Sequence, residues 1–206
     1  MSRRTGLLQR GVQHRDARLF VVATEGAETE PRYFEAIQAH DLVPRSRIKL
    51  HLLPTTDGRS APQHLLARVD DFLTRYRLLP DDAVWLVLDT DLRSGNRAQQ
   101  LAELTQLCRQ KGWHVALSHP CFELWLLLHV RDADDSLTDC ASVQHALRGA
   151  LGAYQKHTTP DACLHPDALH AALQRARTRD PDGADWPDRP ATGFYRLLEA
   201  LRPATD

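Results

Sequence analysis

The feature of this sequence that most constrains its fold is an unbroken apolar run, Ala83–Leu88, which leads directly into Asp89-Thr90-Asp91. Continuous apolarity is typical of a strand that is covered on both faces, as in the middle of a parallel sheet. Parallel strands require long crossover connections, and these are usually helices. The run therefore predicts an α/β domain with Ala83–Leu88 as a central strand.

The rest of the chain fits this class, because short apolar runs alternate with segments of helical periodicity. Further strands are predicted over residues 19–24, 48–53 and 113–117. Helices are predicted over residues 31–40, 62–76, 97–111, 120–130, 138–151, 166–179 and 192–202, the last with Thr192 as its N-cap.

These segments suggest three parts. A basic arm occupies residues 1–18, an α/β core with a mostly parallel sheet of about four strands occupies residues 19–130, and a helical extension over residues 131–206 is expected to pack on that core.

Charge alone gives no argument for a nucleic-acid partner. The 206 residues include 26 Lys and Arg against 27 Asp and Glu, a net charge of −1. Residues 1–18 are the exception, because this segment contains five arginines and only one acidic residue, an aspartate. Such an arm either grips phosphates or is simply a solvated terminus.

Cysteines and apolar segments limit the compartment. The four cysteines form no CxxC or CxxxC pair, which argues against a thiolate zinc site. With no secretory leader, they are expected to be reduced thiols in a cytoplasmic protein. The longest apolar stretch, Leu124–Val130, is far shorter than the ~20 residues that cross a bilayer, so no membrane contact is expected.

Three acidic side chains fall where predicted strands end: Glu25 after the first, and Asp89 and Asp91 after the third. Ligands of open parallel sheets bind beyond the carboxyl ends of the strands. Residues two apart on a strand point the same way, so both aspartates can face one point. Crowded carboxylates repel one another, and a hard divalent cation relieves that repulsion. The pattern favours a metal site, whereas a lone acid after a strand is usually a cap or turn residue.

A second block, residues 118–129 (SHPCFELWLLLH), combines a helix start with a buried acid. Pro120 suits a first helical turn, and His119 and Glu123 are four apart, so they are predicted to share one helix face. Glu123 lies among apolar residues, where an acid is costly unless it is paired, hydrogen-bonded or bound to metal. Catalysis and a structural ion pair are both open for it.

Three motifs together resemble the RloB-like family. They are residues 25–34 (EGAETEPRYF), similar to its EGxxTEpxYF opening, residues 87–91 (VLDTD), similar to its hxDxD strand, and residues 118–129, similar to its SnPcFExWLLLH block. The resemblance is strong over about residues 15–130 and continues weakly through Tyr154–Lys156 and Pro190–Thr192. Three motifs in the same order make it specific.

The chain departs from the family pattern at two places. The family often has Asn where this chain has His119. The family also has a further acid after its DxD, where this chain reads Leu92-Arg93-Ser94, so a second metal site lacks its matching acid.

The resemblance implies a fold and an activity. The family's core resembles the Toprim fold, a Rossmann-like fold of topoisomerases, primases and OLD-type nucleases. Toprim proteins hold divalent metal for phosphodiester chemistry with a Glu after the first strand and a DxD after a later strand. In this chain these residues are Glu25, Asp89 and Asp91. The family is also associated with prokaryotic anti-phage and abortive-infection loci, often beside an ATPase. The chain has no Walker A motif, so ATP use would belong to that partner.

The leading hypothesis is a Mg²⁺- or Mn²⁺-dependent nuclease that acts on RNA, including tRNA, or on DNA as an effector of anti-phage defence. Its state of assembly, including a homo-oligomer, is left open. The metal is assigned to Glu25, Asp89 and Asp91, and Glu25 either ligates it or takes a proton from the attacking water. Glu123 completes the catalytic set. Substrate contacts are assigned to Arg32, His119 and Lys156.

Two other functions compete with this hypothesis. Residues 86–91 (LVLDTD) also fit the nucleophile strand of haloacid-dehalogenase-type phosphotransferases, although Lys111 and Asp134-Asp135 are badly placed for that chemistry. The other alternative is a Toprim-shaped binding subunit of a defence complex that cuts nothing.

Overall fold

The segments with the most continuous apolar sequence form the middle of a five-stranded sheet. The structure is a computed structural model that describes residues 17–55, 61–90, 96–180, 187 and 189–202. Its strands are β1 (Arg18–Thr24), β2 (Ile48–Leu53), β3 (Ala83–Asp89), β4 (His114–His119) and β5 (Ala191–Thr192). The α-helices of the described residues are α1 (Thr29–Ala39), α2 (Pro62–Arg75), α3 (Arg97–Gln110), α4 (Glu123–Val130), α5 (Cys140–Leu151), α6 (Pro166–Arg179) and α7 (Phe194–Ala200).

The strand order is β2-β1-β3-β4-β5, with β1 to β4 parallel and β5 antiparallel to β4. The prediction of an α/β fold with a mostly parallel sheet is confirmed. From β1 the chain moves outward to β2, and from β3 it moves outward to β4 on the other side. The order therefore reverses between β1 and β3, which is where open α/β sheets form their ligand sites.

Side-chain alternation along the strands divides the core into two layers. Phe20 and Val22 of β1 pack with α1 and with α4 to α7 on one face of the sheet. Leu19, Val21 and Ala23 of the same strand pack with α2 and α3 on the other face. Both layers are apolar, so β1 and β3 are covered on both sides, as their continuous hydrophobic sequence indicates.

The start of α4 differs from its prediction, and so does the place of His119. The helix begins at Glu123 rather than at Pro120, because β4 runs on to His119. Strand β5 pairs with Ser118 and His119 and so extends β4 beyond its predicted end. The prediction that His119 and Glu123 share a helix face is therefore wrong.

The predicted role of Thr192 as an N-cap is also wrong. Thr192 lies in β5, where its hydroxyl is 2.8 Å from the Ser118 hydroxyl, and Gly193 takes the N-cap position of α7. The Thr192 hydroxyl also accepts a hydrogen bond from the Phe194 main-chain N–H, at 3.2 Å. The side chain thus still contacts the first helical residue from a strand position.

An aromatic cluster joins the early and late parts of the chain. Phe194 of α7 contacts Tyr33 of α1, Phe122 just before α4, and Trp125 of α4. The ring centroids of these pairs are 5.1–5.8 Å apart. Phe122 and Trp125 are buried. The predicted division of the chain at residue 130 stays a prediction, and the predicted arm, apart from residues 17 and 18, lies outside the described residues.

Each helix within the described ranges is either too short or too polar to span a membrane.

Candidate active site

A cavity of about 530 Å³ opens at the carboxyl ends of β1 and β3, where the strand order reverses. The loop after β1 and the first turn of α1 form one wall, and the N-terminal turns of α4 and α5 form another. The described residues that line it are Glu25, Gly26, Ala27, Glu28, Thr29, Glu30, Asp89, Cys121, Phe122, Glu123, Cys140, Ala141, Gln144, Lys156 and His157.

Glu25 and Asp89 come together in this cavity, as their strand positions predict. The Asp89 main-chain N–H donates to Glu25 Oε2 at 3.2 Å. Arg97, at the start of α3, pairs with the same Glu25 oxygen and donates to the Asp89 carbonyl oxygen at 2.7 Å. Arg97 therefore ties the ends of β1 and β3 together and partly neutralises Glu25.

Asp91, the third predicted metal ligand, lies outside the described residues.

The Asp89 carboxyl group is in an unfavourable environment for a negative charge. Its Oδ1 atom is buried and has no hydrogen-bond partner among the described residues. Burial first, and then the charges of Glu30, Glu25 and Glu123, raise the pKa of Asp89 well above its usual range. Without a compensating cation, this carboxyl group therefore favours its protonated form.

Glu30 belongs to the same acidic cluster, although sequence reasoning did not single it out. Its side chain is 4% exposed and accepts a hydrogen bond from the Gly26 main-chain N–H at 3.0 Å. A Cβ atom at position 26 would overlap the Glu30 carboxylate, so this close approach requires glycine. Burial, together with Glu123 and Glu25, raises the pKa of Glu30.

Glu123 faces the cluster from the first turn of α4. It is 5% exposed, and Gln144 of α5 donates to its Oε1 atom at 2.9 Å. The sequence left three ways to offset the burial of this acid: an ion pair, a hydrogen bond or a metal. The structure shows a hydrogen bond.

The predicted substrate-binding residues occupy three different positions. Lys156 lines the cavity. Arg32 donates to the His157 carbonyl oxygen at 2.6 Å and pairs with Glu28 at 3.0 Å, and it is not among the lining residues. His119 also does not line the cavity, and its Nδ1 lies 2.7 Å from the Thr90 hydroxyl.

Two thiols complete the cavity wall. Cys121 and Cys140 both line it, and the Cys121 pKa is raised by a hydrogen bond with Cys140 and by burial. Neither thiol is part of a disulfide.

The cavity has the donor types of a metal site but not a preformed ligand set among the described residues. Within residues 17–55, 61–90, 96–180 and 189–202, no group of three or more His, Cys, Asp or Glu side chains is arranged to hold a metal ion. The donor types do fit one, since Glu25, Glu30 and Asp89 offer the hard oxygen ligands that Mg²⁺ and Mn²⁺ prefer. A cation would also satisfy Asp89 Oδ1, which has no hydrogen-bond partner within the described ranges.

Comparison with known proteins assigns the chain to a family. A family model described as RloB-like protein matches residues 20–201, nearly the whole chain. The chain belongs to the RloB-like family. No curated protein and no solved structure matches it.

In this RloB-like protein, each of the three sequence motifs contributes to the cavity. Glu25, Asp89 and Glu123 each come from a different motif and reach the same space. Arg97 and Gln144, which hold two of these acids, lie outside the motifs. Nothing in the local sequence distinguishes them from other polar helix residues.

Proposed function

We propose that this RloB-like protein is a nuclease that depends on Mg²⁺ or Mn²⁺. The observation that carries the proposal is the buried Oδ1 atom of Asp89, which has no hydrogen-bond partner in the described part of the chain. Asp89 lines a cavity together with Glu25, Glu30 and Glu123. A buried carboxylate among other acids is costly unless a cation compensates it. A divalent cation with oxygen ligands would provide that compensation.

The proposed core is Toprim-like. Two observations support it. Glu25 directly follows β1 and Asp89 is the last residue of β3, and these strands are neighbours in the order β2-β1-β3-β4. This is the placement that the Toprim resemblance implies for Glu25 and the DxD sequence.

In the proposed site, Asp89, Asp91 and Glu25 hold the metal. When bound, the cation supplies positive charge that stabilises the transition state of phosphodiester hydrolysis. Arg97 fixes the Glu25 carboxylate, which either ligates or accepts a proton from the attacking water. Glu123 completes the acidic set, and Lys156 offers a positive charge to the substrate phosphate.

The biological setting is proposed from the family resemblance. The substrate is RNA, including tRNA, or DNA, and the protein acts in the cytoplasm as an abortive-infection effector against phage. A partner ATPase of the same defence locus controls it.

The deciding experiment compares Asp89→Ala with Asp81→Ala. The control removes an exposed carboxylate two residues before β3 begins, at the end of the strand away from Asp89. We expect Asp89→Ala to lose nuclease activity with Mn²⁺ on single-stranded RNA or DNA by roughly 10²-fold or more, because it removes a metal ligand. Mn²⁺ should raise the melting temperature of the wild type and of Asp81→Ala, but not that of Asp89→Ala.

Wild-type cleavage by a well-folded Asp89→Ala variant would place the active site elsewhere. The same assays, repeated with the partner ATPase present, test whether the activity requires it.

A second candidate function is a non-catalytic binding subunit. The Arg97–Glu25 ion pair favours it, because Arg97 already neutralises one of the proposed ligands. On this alternative, wild-type protein with Mn²⁺ leaves RNA and DNA intact even with its partner and trigger, and Mn²⁺ does not shift the melting temperature.

A further inference from the structure

The charges that line the cavity present a problem for a nucleic-acid substrate. Among the described lining residues, five are acidic and Lys156 is the one lysine or arginine. The substrate phosphate is itself an anion, which these acids repel until a cation is bound. The position of Lys156 therefore matters for bringing a phosphate into the cavity.

Lys156 lies in the connection between α5 and the 3₁₀ helix Asp161–Cys163, outside any regular element. The residues on both sides of it are anchored. Tyr154 is buried in the core, 8% exposed. His157 contacts the first turn of α1, which lines the same cavity.

The anchor at His157 has an unusual backbone. His157 has a φ angle of 69°, in the left-handed region that residues with side chains rarely adopt. Arg32 Nη1 donates to its carbonyl oxygen at 2.6 Å, and its ring Nδ1 lies 3.3 Å from the Thr29 hydroxyl. Strained conformations persist where surrounding contacts hold them, and they concentrate at functional sites.

We propose that Thr29, Arg32 and His157 form a clamp that positions Lys156 for the substrate phosphate. Arg32 and His157 are positioning residues in this arrangement, and Arg32 acts through Lys156 rather than by contacting substrate itself. The inference rests on the proposed nuclease function. It adds how a cavity lined mainly by acids binds the phosphate group of a substrate.

The first test is independent of activity. Trypsin cleaves after lysine and arginine, so mass spectrometry must identify the fragments that end at Lys156. The protease cleaves there efficiently only when this connection opens. We expect Arg32→Met to raise the rate of cleavage after Lys156 roughly tenfold, because the variant loses the charged hydrogen bond that holds the connection closed. The melting temperature should stay unchanged. Thr29→Val should raise it by a smaller factor.

Arg45→Met is the matched control. Like Arg32, Arg45 is an exposed arginine that donates to a main-chain carbonyl, that of Gln38, and pairs with an acid four residues earlier, Asp41. It should leave cleavage after Lys156 at the wild-type rate. A wild-type rate in Arg32→Met would overturn the clamp.

The second test is a double-mutant cycle on nuclease activity. We expect Arg32→Met to lower kcat/KM roughly tenfold, mainly through KM, and Lys156→Met to lower it further. The double variant should match Lys156→Met alone, because Arg32 acts through Lys156. Losses that multiply would show that Arg32 contacts substrate independently and would refute the positioning role.

The two failures are distinguishable. A wild-type protein inert toward RNA and DNA refutes the proposed nuclease, while the trypsin experiment still decides whether the clamp holds Lys156. An active nuclease whose Arg32→Met variant keeps wild-type proteolysis refutes the clamp alone.

Discussion

Asp89 is the residue at which the electrostatics of the cavity can be measured directly. Because the pKa of Asp89 is raised in the folded protein, its protonated carboxyl group contributes to stability at low pH. That contribution is lost as the pH rises through the folded-state pKa. The metal-free protein should therefore lose stability with rising pH because Asp89 must ionise among other acids.

Asp89→Asn removes this titration while keeping the shape of the side chain. Without metal, we expect its melting temperature to exceed that of the wild type by a margin that grows as the pH rises above about 4, the usual range of an aspartate. A margin of about 1 kcal/mol corresponds to ~2–4 °C for a chain of this length. Melting curves across pH measure it, with Asp81→Asn as the control. A margin independent of pH would contradict the assigned pKa direction.

Glu123 allows catalysis and structure to be separated. Glu123→Gln keeps an oxygen that can accept the hydrogen bond from Gln144, so the melting temperature should change by less than about 2 °C. Nuclease activity with Mn²⁺ should fall at least about tenfold, because the negative charge is lost. Paired melting curves and cleavage rates give the answer. A large loss of stability with full activity would assign Glu123 a structural role.

At the scale of secondary-structure elements, the junction of β4 and β5 depends on two buried hydroxyls. Ser118 and Thr192 are both 0% exposed and hydrogen-bonded to each other. Removing either hydroxyl takes this hydrogen bond from the other, although Thr192 still accepts one from the Phe194 main-chain N–H. A buried hydroxyl that loses its partner costs more than the loss of both hydroxyls together.

We therefore expect Thr192→Val and Ser118→Ala each to lower the free energy of unfolding by about 1–3 kcal/mol. The double variant should be less destabilised than the sum of the two. Urea denaturation of all four proteins measures the coupling. Additive losses would mean that the two hydroxyls do not support each other.

Elements with a clear period were predictable because local pattern and burial agree within each of them. The predicted bounds of β2 and α6 equal the observed ones. Strand β5 was not predictable, because two residues carry no period and their partner Ser118 lies 74 residues away. The error at the start of α4 has the same origin, since β5 lengthens β4.

The candidate site divides in the same way. Glu25 and Asp89 were predictable because a strand end fixes where each side chain lies. Arg97 was not, because its partner Glu25 is 72 residues away and an arginine at a helix start usually faces solvent. Glu30 has the sequence appearance of an ordinary acid that stabilises the first turn of a helix.

At the scale of the whole molecule, one apolar layer unites the predicted core with the predicted extension. This layer includes Phe20 and Trp85 of the sheet together with Leu173 and Phe194 of the C-terminal helices. A fragment that ends at residue 130 would lack α5, α6, β5 and α7, and it would expose the apolar face that they cover.

We therefore expect the fragment 17–130 to show no cooperative thermal transition, whereas the full chain unfolds in one. Circular dichroism and tryptophan fluorescence, recorded on both proteins, check this. Coincident transitions by the two probes support a single unit. Cooperative melting of the fragment alone would show that the boundary at residue 130 separates two folding units.

The contact between Tyr33 and Phe194 also has a consequence for synthesis on the ribosome. Translation makes the first of these residues well before the second, so the nascent chain cannot complete its aromatic core until α7 has left the exit tunnel. Polypeptides terminated before β5 would lack both the Phe194 contacts and the β5 pairing that extends β4. If the protein is a nuclease, as proposed, we expect activity to appear only after β5 and α7 have left the exit tunnel.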